Sequence, residues 1–373
     1  MKAWPILAIA VIQAILFLAH GFLHHTILAF WGAPSPAVAA LLHYALLILA
    51  FSFVAAALLT FRFSNPAVNA LYTIAATWLG FLNFFFFAAC LCWLTWYAML
   101  LAGLHPDPLH ARPLIASLFF AAAALTGIYG LINARCLRIR RYAMRLSNLP
   151  AQWRGRTALV VSDLHLGPVN GLAFSRRIAA LAQRLQPDIL FIPGDVFDGT
   201  KIDPFGALEP LRQLAPPFGI FFATGNHDEF GNLAEDTRAL RAVGIHVLAS
   251  ECVDVDGLQI LGIPYHVTTH LIQMRAALEH LHIDRTRPSI LLNHSPNRLP
   301  LVEQAGVSLQ LSGHTHGGQF LPFTWLTRSI FGEFTHGLHP FGAMQVCTSS
   351  GCGTWGPPLR VGSSAEVVLL TFV

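Results

Sequence analysis

Four long apolar stretches in the first third of the chain restrict its fold more than any other feature. They run roughly over residues 5–31, 36–61, 67–103 and 113–133. Each is long enough to cross a bilayer, which takes about 20 apolar residues in an α-helix. No Lys, Arg, Asp or Glu occurs between residues 5 and 133 except Arg62, Asp107 and Arg112. A soluble fold cannot hide so much apolar surface, so residues 1–134 are predicted to form a transmembrane domain of four helices.

The first apolar stretch resembles a secretory signal only superficially. Its apolar run is longer than a signal core, and three further stretches follow it. We therefore interpret it as a retained helix. The stretches are separated by short segments rich in Pro, Gly, Ser and Asn, which are typical of turns.

Basic residues in the short loops predict the orientation of these helices in the membrane. Lys2, Arg62 and five arginines within residues 135–145 fall on one side, and Arg112 falls on the other. Positive loops stay cytoplasmic, so both termini and the globular half are predicted to lie in the cytoplasm, attached to a bacterial inner membrane. A formal net charge of +4 gives no reason to expect a nucleic-acid partner.

Several polar residues lie inside the predicted spans. His20, His24 and His25 are in the first span, His43 is in the second and Asn83 is in the third. Ionisable groups inside a membrane are candidates for a functional site. The alternative, which we favour, is that they lie at the interface or form hydrogen bonds between helices.

The second half of the chain has a different composition and hydrophobic pattern. Residues 135–156 are basic and are predicted to be a linker to a globular domain over residues 157–373. Apolar residues at three- and four-residue spacing predict helices over residues 172–185, 233–243 and 269–282. Short apolar runs bounded by Gly, Pro or Asn predict the strands between them. The domain is therefore predicted to be of the α/β class.

Five predicted strands end in residues that can bind a metal ion. The strands cover residues 158–162, 189–193, 220–224, 290–292 and 309–312. The residues that follow them are Asp163, His165, Asp195, Asn226, His294, His314 and His316. Ligands of α/β sheets bind outside the carboxyl ends of the strands, so these side chains are expected to meet in one crevice.

The composition of this set predicts the kind of metal site. Seven mixed oxygen and nitrogen donors are too many for one ion and suit two. Carboxylate and imidazole donors suit divalent Mn, Fe or Zn, and the lack of Cys argues against a structural zinc site. Two neighbouring metals can hold both the attacking and the leaving oxygen of a phosphoryl displacement, with a carboxylate such as Asp195 between them.

Each motif taken alone has an ordinary structural explanation. Asp-x-His can be a polar pair in a loop, Gly-Asp is common in turns, and Asn226-His227-Asp228 can be a capped turn. A lone His294 is more often a satisfied surface or core residue. Their order and their common position at strand ends favour a functional site.

The ordered set resembles the calcineurin-like metallophosphoesterase superfamily. The strings Ser-Asp-Leu-His-Leu-Gly, Gly-His-Thr-His-Gly-Gly-Gln and Gly-Thr-Trp-Gly-Pro-Pro-Leu-Arg are similar to its bacterial membrane-associated branch. The resemblance begins at about Thr157 and implies a four-layer α/β/β/α sandwich. It also implies that one metal is bound by Asp163, His165, Asp195 and His316. The second would be bound by Asp195, Asn226, His294 and His314.

This ligand set implies a reaction in which two metals activate a hydroxide that attacks phosphorus. His227 is not needed as a ligand and is predicted to protonate the leaving group, with Asp228 orienting its ring. The alternative is a purely structural role for His227. Asp198 and Arg360 are predicted to line the pocket, with Arg360 contacting phosphate.

The substrate is indicated only by the surroundings of the motifs. Residues 320–334 are unusually apolar, and they either form a lip that enters the membrane or cover a sheet edge as core. Together with the spans, this favours a phosphodiester or pyrophosphate bond in a lipid or lipid precursor. Soluble phosphorylated substrates stay open. A different class of function also stays open: a membrane regulator or scaffold whose metal site is structural or senses a ligand.

Overall fold

The computed structural model describes residues 4–33 and 35–373, without the side chains of Trp4 and Pro5. The chain divides into two compact units. One holds the residues up to Ile132 together with Gly356–Leu359, and the other holds Asn133–Trp355 and Arg360–Val373. Lys2, which contributes to the predicted orientation, lies outside the described residues.

The first unit is built from four long helices. They are α1 (Trp4–Trp31), α2 (Pro36–Thr60), α3 (Pro66–Leu101) and α4 (Pro108–Arg135). All four are long and apolar enough to cross a membrane. Most of their large apolar side chains are exposed to the surroundings, as expected of helices whose solvent is lipid.

Polar residues and prolines start these helices. The Ser35 and Asn65 side chains accept hydrogen bonds from Val38 N and Val68 N, and proline follows each cap at the first helical position. Asp107 accepts a hydrogen bond from Leu109 N at 3.0 Å, so α4 begins at Pro108. The predicted start at residue 113 was therefore too late, because Pro113 lies inside the helix.

Two polar contacts connect α1 to α3. Trp78 Nε1 donates to His20 Nε2 at 2.9 Å, while His20 Nδ1 lies 2.7 Å from the Leu16 carbonyl oxygen. Trp93 Nε1 donates to Thr26 Oγ1 at 2.9 Å. Both ring nitrogens of His20 thus have partners, which agrees with a role in packing the helices.

The second unit alternates strands and shorter helices. Its strands are β1 (Arg138–Met144), β2 (Thr157–Val160), β3 (Ile189–Ile192), β4 (Ile220–Phe222), β5 (Ile245–Val247), β6 (Glu251–Val255), β7 (Leu258–Gly262), β8 (Ser289–Leu292), β9 (Leu309–Ser312), β10 (Gly337–Phe341), β11 (Met344–Thr348) and β12 (Glu366–Phe372). Its helices are α5 (Leu172–Leu185), α6 (Pro204–Leu208), α7 (Leu233–Ala242), α8 (Tyr265–Thr269), α9 (Leu271–His280), α10 (Leu299–Ala305) and α11 (Phe323–Phe331). The single helix predicted over residues 269–282 is interrupted at His270, which has an extended backbone.

The strands form two mixed sheets of six strands each. The first has the order β1-β12-β2-β3-β4-β5, and the second has the order β10-β11-β9-β8-β7-β6. Strands β2, β3 and β4 run parallel to one another, as do β8 and β9. Their carboxyl ends therefore share an edge within each sheet.

The two sheets and the helices on their outer faces form four layers, and alternate residues of a strand face opposite layers. Along β3, Leu190 packs with α5, α6 and α7, whereas Phe191 packs into a core shared with the second sheet. On the second sheet, Leu291 faces α9 and α10, and Ile290 faces the shared core. Because both faces are covered at the middle of the first sheet, the inner strands β3 and β4 consist of apolar residues alone. The predicted fold class, four apolar helices followed by an α/β sandwich, is confirmed.

Residues 135–156 are not the simple linker that their basic composition suggests. Residues Arg138–Met144 form β1, an edge strand parallel to β12. Its arginines point largely to solvent, which suits the edge of a sheet. Trp153 is completely buried, and its ring lies 4.5 Å from Phe218 and 5.4 Å from Phe372. This segment belongs to the core of the second unit.

Replacing Trp153 tests this assignment. We expect Trp153→Ala to lower the free energy of unfolding by about 3–5 kcal/mol, because it leaves a large cavity in the core. Pulse proteolysis of the full chain in detergent at increasing urea concentration measures the change. Trp325 is 70% exposed, so Trp325→Ala is a matched control that should change the stability by less than about 0.5 kcal/mol. Equal stability of both variants would mean that residues 135–156 are a linker after all.

Candidate metal centre

The metal-binding candidates occupy the loops that follow five strands. Asp163 and His165 follow β2, Asp195 follows β3 and Asn226 follows β4. In the second sheet His294 follows β8, while His314 and His316 follow β9. Backbone hydrogen bonds hold neighbouring loops together: Asp163 N donates to Gly194 O at 3.1 Å, and Gly313 N donates to His294 O at 2.8 Å.

Most of these candidate ligands have an unusual backbone conformation. Positive φ angles, between 47° and 70°, are found at Asp163, His165, Asp195, His314 and His316. This left-handed region costs a non-glycine residue about 1–3 kcal/mol, and such residues cluster at functional sites. The loops are thus held in shapes that their own sequences disfavour.

A glycine before Asp195 allows two loops to approach each other. A Cβ atom at Gly194 would lie 2.5 Å from His294 Nδ1 and 2.7 Å from Gly225 N. No real side chain tolerates such contacts. Position 194 therefore requires glycine, because the His294 side chain packs closely against it.

Buried donor atoms converge at the edge of the sheets. Within the part of the chain that the structure describes, three groups could each hold an ion: Asp163, His165 and His316; His165, Asp195 and His227; and Asp163, Asp195 and His294. Within each group the ligand atoms lie within 4.8 Å of one another. Asp163, His165 and Asp195 each belong to two of these groups, so the three groups form one continuous cluster.

Individual distances show how tightly the donors are packed. The Nε2 atoms of His165 and His316 are 3.0 Å apart, and His316 Nε2 is 3.4 Å from Asp163 Oδ1. His294 Nε2 is 3.1 Å from Asp195 Oδ2. His314 Nδ1 lies 3.0 Å from Asn226 Oδ1. The seven predicted ligands are brought together in the loops after β2, β3, β4, β8 and β9.

The chemistry of these donors fits divalent metal ions. Asp163 Oδ2 is buried and has no hydrogen-bond partner among the described residues, although an isolated buried carboxylate oxygen is costly. The Nδ1 atom of His294 lies 2.7 Å from the Pro193 carbonyl oxygen. Such a bond orients a metal-binding histidine and leaves its Nε2 atom for the ion.

Burial and neighbouring charges shift the pKa values at the site. Burial lowers the pKa of His314 to about 3 and that of His316 well below its usual range, so both are neutral, as metal ligands must be. Burial alone would lower the pKa of His294, but the Asp195 carboxylate raises it to about 9. An ion that binds Asp195 and His294 must therefore displace a proton.

His227 lies beside this cluster, with its ring 4.7 Å from that of His165. Its Nδ1 atom is 3.0 Å from the Asp198 carbonyl oxygen. Burial, followed by the charge of His165, lowers the pKa of His227.

Asp228 makes contacts other than those suggested by its position next to His227. Its carboxylate accepts hydrogen bonds from Asp195 N, Phe197 N and Gly225 N at 2.8–3.0 Å. Burial raises the pKa of Asp228 to about 7. Asp228 therefore holds the loops after β3 and β4 together. Asp198, whose carbonyl oxygen lies next to the His227 ring, is the better candidate for orienting His227.

The two predicted pocket residues also have structural contacts. Asp198 Oδ1 lies 3.3 Å from His165 Nδ1, which places this carboxylate behind a candidate ligand. Arg360 is completely buried, and its guanidinium donates to backbone carbonyls that include those of His316, Ser350 and Gly353. This geometry supports the loop that carries His316 and leaves Arg360 no exposed group with which to contact phosphate.

Aromatic residues that belong to none of the predicted ligand motifs flank the site. The rings of Phe230 and Trp355 lie 5.2 and 6.0 Å from that of His227, and both residues are more than half exposed. Tyr265 lies 5.7 Å from the ring of His314. Gln319 holds Trp355 with two hydrogen bonds to its backbone. The only sequence signals were the strings that contain Gln319 and Trp355.

Comparisons with known proteins agree with this geometry. The profile of the calcineurin-like phosphoesterases matches residues 156–318, which include all seven candidate ligands. An uncharacterized metallophosphoesterase of Aquifex aeolicus is 32% identical over 263 residues, covering 67% of this chain and 97% of that protein.

Two animal relatives are longer. A zebrafish protein named "Transmembrane protein with metallophosphoesterase domain" is 31% identical over 262 residues, covering 65% of this chain and 59% of its own length. A relative in Caenorhabditis elegans is 31% identical over 270 residues, covering 68% of this chain and 54% of its own length. The chain thus spans little more than half of each of these animal relatives.

The match to nearly the whole Aquifex protein and the profile match across the metal-binding loops lead to one conclusion. The chain belongs to the calcineurin-like metallophosphoesterase family, as its motifs predict, and its globular part is of the phosphoesterase class of hydrolases.

Proposed function

We propose that this chain is a membrane-bound phosphoesterase that uses two divalent metal ions, of Mn, Fe or Zn, to hydrolyse a phosphodiester or pyrophosphate bond. The observation that carries the proposal is the cluster of carboxylate and imidazole donors in which Asp163, His165 and Asp195 are each shared by two groups. Asp163, His165, Asp195 and His316 would hold one ion. Asp195, Asn226, His294 and His314 would hold the other.

Two bound cations supply a clamp for phosphate oxygens and lower the pKa of water, so that hydroxide is available near neutral pH. The chain's own part is to fix the geometry. Asp195 Oδ1 accepts a hydrogen bond from His227 N at 2.8 Å, so the position of the candidate acid is tied to the shared carboxylate. The Asp228 carboxylate accepts a hydrogen bond from the backbone N–H of Asp195 and so fixes the position of Asp195.

His227 is proposed to donate a proton to the leaving oxygen. Its Nδ1 faces the Asp198 carbonyl, which fixes the ring and leaves Nε2 as the atom that can act on substrate. The exposed rings of Phe230 and Trp355 stand beside it, so the leaving group would meet apolar surface. This environment suits a substrate with an apolar part, and we propose a lipid or lipid-linked phosphate.

The four apolar helices support attachment to the membrane, and the loop charges support a cytoplasmic site. Arg62 lies in the exposed turn between α2 and α3, and the arginines of β1 follow α4. We propose that the protein is located in a bacterial inner membrane with both termini in the cytoplasm.

Asp195→Asn tests the metal centre. Turnover of bis-p-nitrophenyl phosphate with Mn²⁺ should fall by at least about 10²-fold, because the variant weakens both metal positions and their clamp on phosphate. Asp236 is a buried carboxylate on α7, outside the candidate ligand set, so Asp236→Asn is the matched control. Metal content of both purified variants is measured in parallel. Unchanged turnover in Asp195→Asn, with metal bound, would favour a structural or ligand-sensing site.

A comparison of the wild-type protein with Asp195→Asn can identify the substrate. A lipid extract of the source bacterium, dispersed in mild detergent, is incubated with Asp195→Asn or with the wild type and analysed by mass spectrometry. A phosphorylated lipid consumed only by the wild type would support a lipid substrate. Consumption of soluble phosphodiesters alone would refute the lipid part and leave the enzyme intact.

His227→Gln tests the proposed acid. For a diester with an alkoxide leaving group we expect kcat to fall about 10²- to 10⁴-fold, because this oxygen must be protonated as it leaves. For bis-p-nitrophenyl phosphate the loss should be much smaller, since nitrophenolate leaves unprotonated. His246 is exposed on β5, and His246→Gln should alter neither rate. Equal losses on both substrates would show that His227 positions other groups and donates no proton.

A reporter fused to the C-terminus tests the orientation. Alkaline phosphatase, which is active only outside the cytoplasm, should be inactive in this fusion, and a green fluorescent protein fusion should fluoresce. The basis is the excess of arginine after α4. The opposite pair of signals would place the metal centre on the outer side of the membrane.

A further inference from the structure

Helix α11 turns its large apolar side chains away from the unit that carries it. Phe323, Trp325, Leu326 and Ile330 are 46–70% exposed, and none of the nine residues of this helix is buried. A surface helix of a soluble domain normally has the opposite arrangement, with its apolar stripe facing the core.

The two threonines of α11 face inward. Thr324 and Thr327 are half-buried. The backbone of Thr324 packs so closely on Gly318 that a side chain at position 318 would clash with Thr324. Thr335 closes the following turn by donating to Gly332 O at 2.7 Å. The helix is therefore fixed through its threonines, and its exposed apolar side chains are available to a partner.

We propose that α11 docks into the interface of the lipid bilayer, with its four exposed apolar residues in the boundary between headgroups and acyl chains. A helix of this kind, apolar on one side and lying flat, is typical of interfacial binding, and tryptophan prefers this depth. Arg328 is exposed and α11 contains no acidic residue, so its charge complements anionic headgroups.

The rest of the chain makes a bilayer the appropriate partner. Helices α1–α4 can cross a membrane, so the second unit stays tethered to a bilayer surface. Tethering gives the lipid interface a high effective concentration, and even a short helix of modest intrinsic affinity then binds it. A soluble partner protein has no such advantage.

Docking at α11 would act directly on the metal centre. The Phe331 ring lies 6.1 Å from that of His314. Thr315, between the ligands His314 and His316, donates its hydroxyl to Thr335 O at 2.6 Å. The loop after β9 is thus joined to the end of α11, and a docked α11 holds this loop near the lipid phosphates. The docking itself does not depend on the proposed hydrolysis.

Photolabelling of the full chain tests the proposal without requiring turnover. The purified protein is reconstituted into vesicles of phosphatidylcholine and phosphatidylglycerol that contain a phospholipid with a diazirine in its acyl chain. After illumination, labelled peptides are identified by mass spectrometry. We expect label on the α11 peptide as well as on α1–α4, which serve as the internal positive control. Labelled spans with an unlabelled α11 in the wild type would overturn the proposal.

A pair of double variants shows whether the apolar face is responsible. Trp325→Glu with Ile330→Glu should reduce the α11 label by at least about tenfold, because two charges then oppose insertion. Leu271→Glu with Ile272→Glu is the matched control on α9, where both residues are also exposed, and it should keep the α11 label. Both variants should still turn over bis-p-nitrophenyl phosphate, which reports folding.

Two further outcomes would contradict the proposal. One is full α11 labelling in the Trp325/Ile330 variant, which would mean that its exposed apolar face does not bind lipid. The other is an α11 protected from label within a dimer that dissociates in the same variant, which would mean that a second copy of the chain covers this face. If the variant loses turnover through misfolding, wild-type labelling of α11 still decides the question.

Discussion

Three buried carboxylates impose the main requirement on the globular unit. Asp163, Asp195 and Asp228 are almost completely excluded from solvent, and an isolated charge there would be very costly. Each has different surroundings: Asp228 accepts hydrogen bonds from three backbone N–H groups, Asp195 faces His294, and Asp163 keeps one oxygen without a hydrogen-bond partner among the residues that the structure describes. Such a cluster of buried carboxylates fits a metal centre, in which cations would compensate the charge that protein groups leave.

The fold delivers these groups through the geometry of parallel strands. The loops after β2, β3 and β4 leave the first sheet at one edge, and those after β8 and β9 leave the second. Their left-handed residues and the close approach at Gly194 are unfavourable locally, so the packed sandwich must hold them in place. Arg360 contributes by binding the carbonyls of several loops at once, which makes this buried cation a support of the site.

The site residues that the sequence predicts correctly are those whose position depends on neighbouring residues in the chain. Strand ends followed by Asp, Asn or His predicted the convergence of Asp163, Asp195 and His294, because side chains after parallel strands meet at one edge. Prediction from the sequence was weaker where a role depends on contacts between distant segments. Asp228 neighbours His227 along the chain, yet its carboxylate is directed to the backbone of Asp195 and Gly225. The basic segment at residues 138–144 gave no sign that it would pair with β12, more than 220 residues later.

The sequence by itself determined that the chain has four apolar helices and an α/β domain, since hydrophobic length and period are properties of neighbouring residues. It also determined the donor set at the strand ends. Only the tertiary structure decided which donors lie within reach of one another, such as Asp163, Asp195 and His294, and which aromatic side chains surround His227. It likewise showed that residues 320–334 are divided: the large apolar residues at four positions of α11 face outward, whereas Phe320 is buried and Phe334 packs against the core. The physical reason is that the exposure and the contacts of a side chain depend on how remote segments pack. An amphipathic pattern alone does not say which side of a helix contacts its own domain.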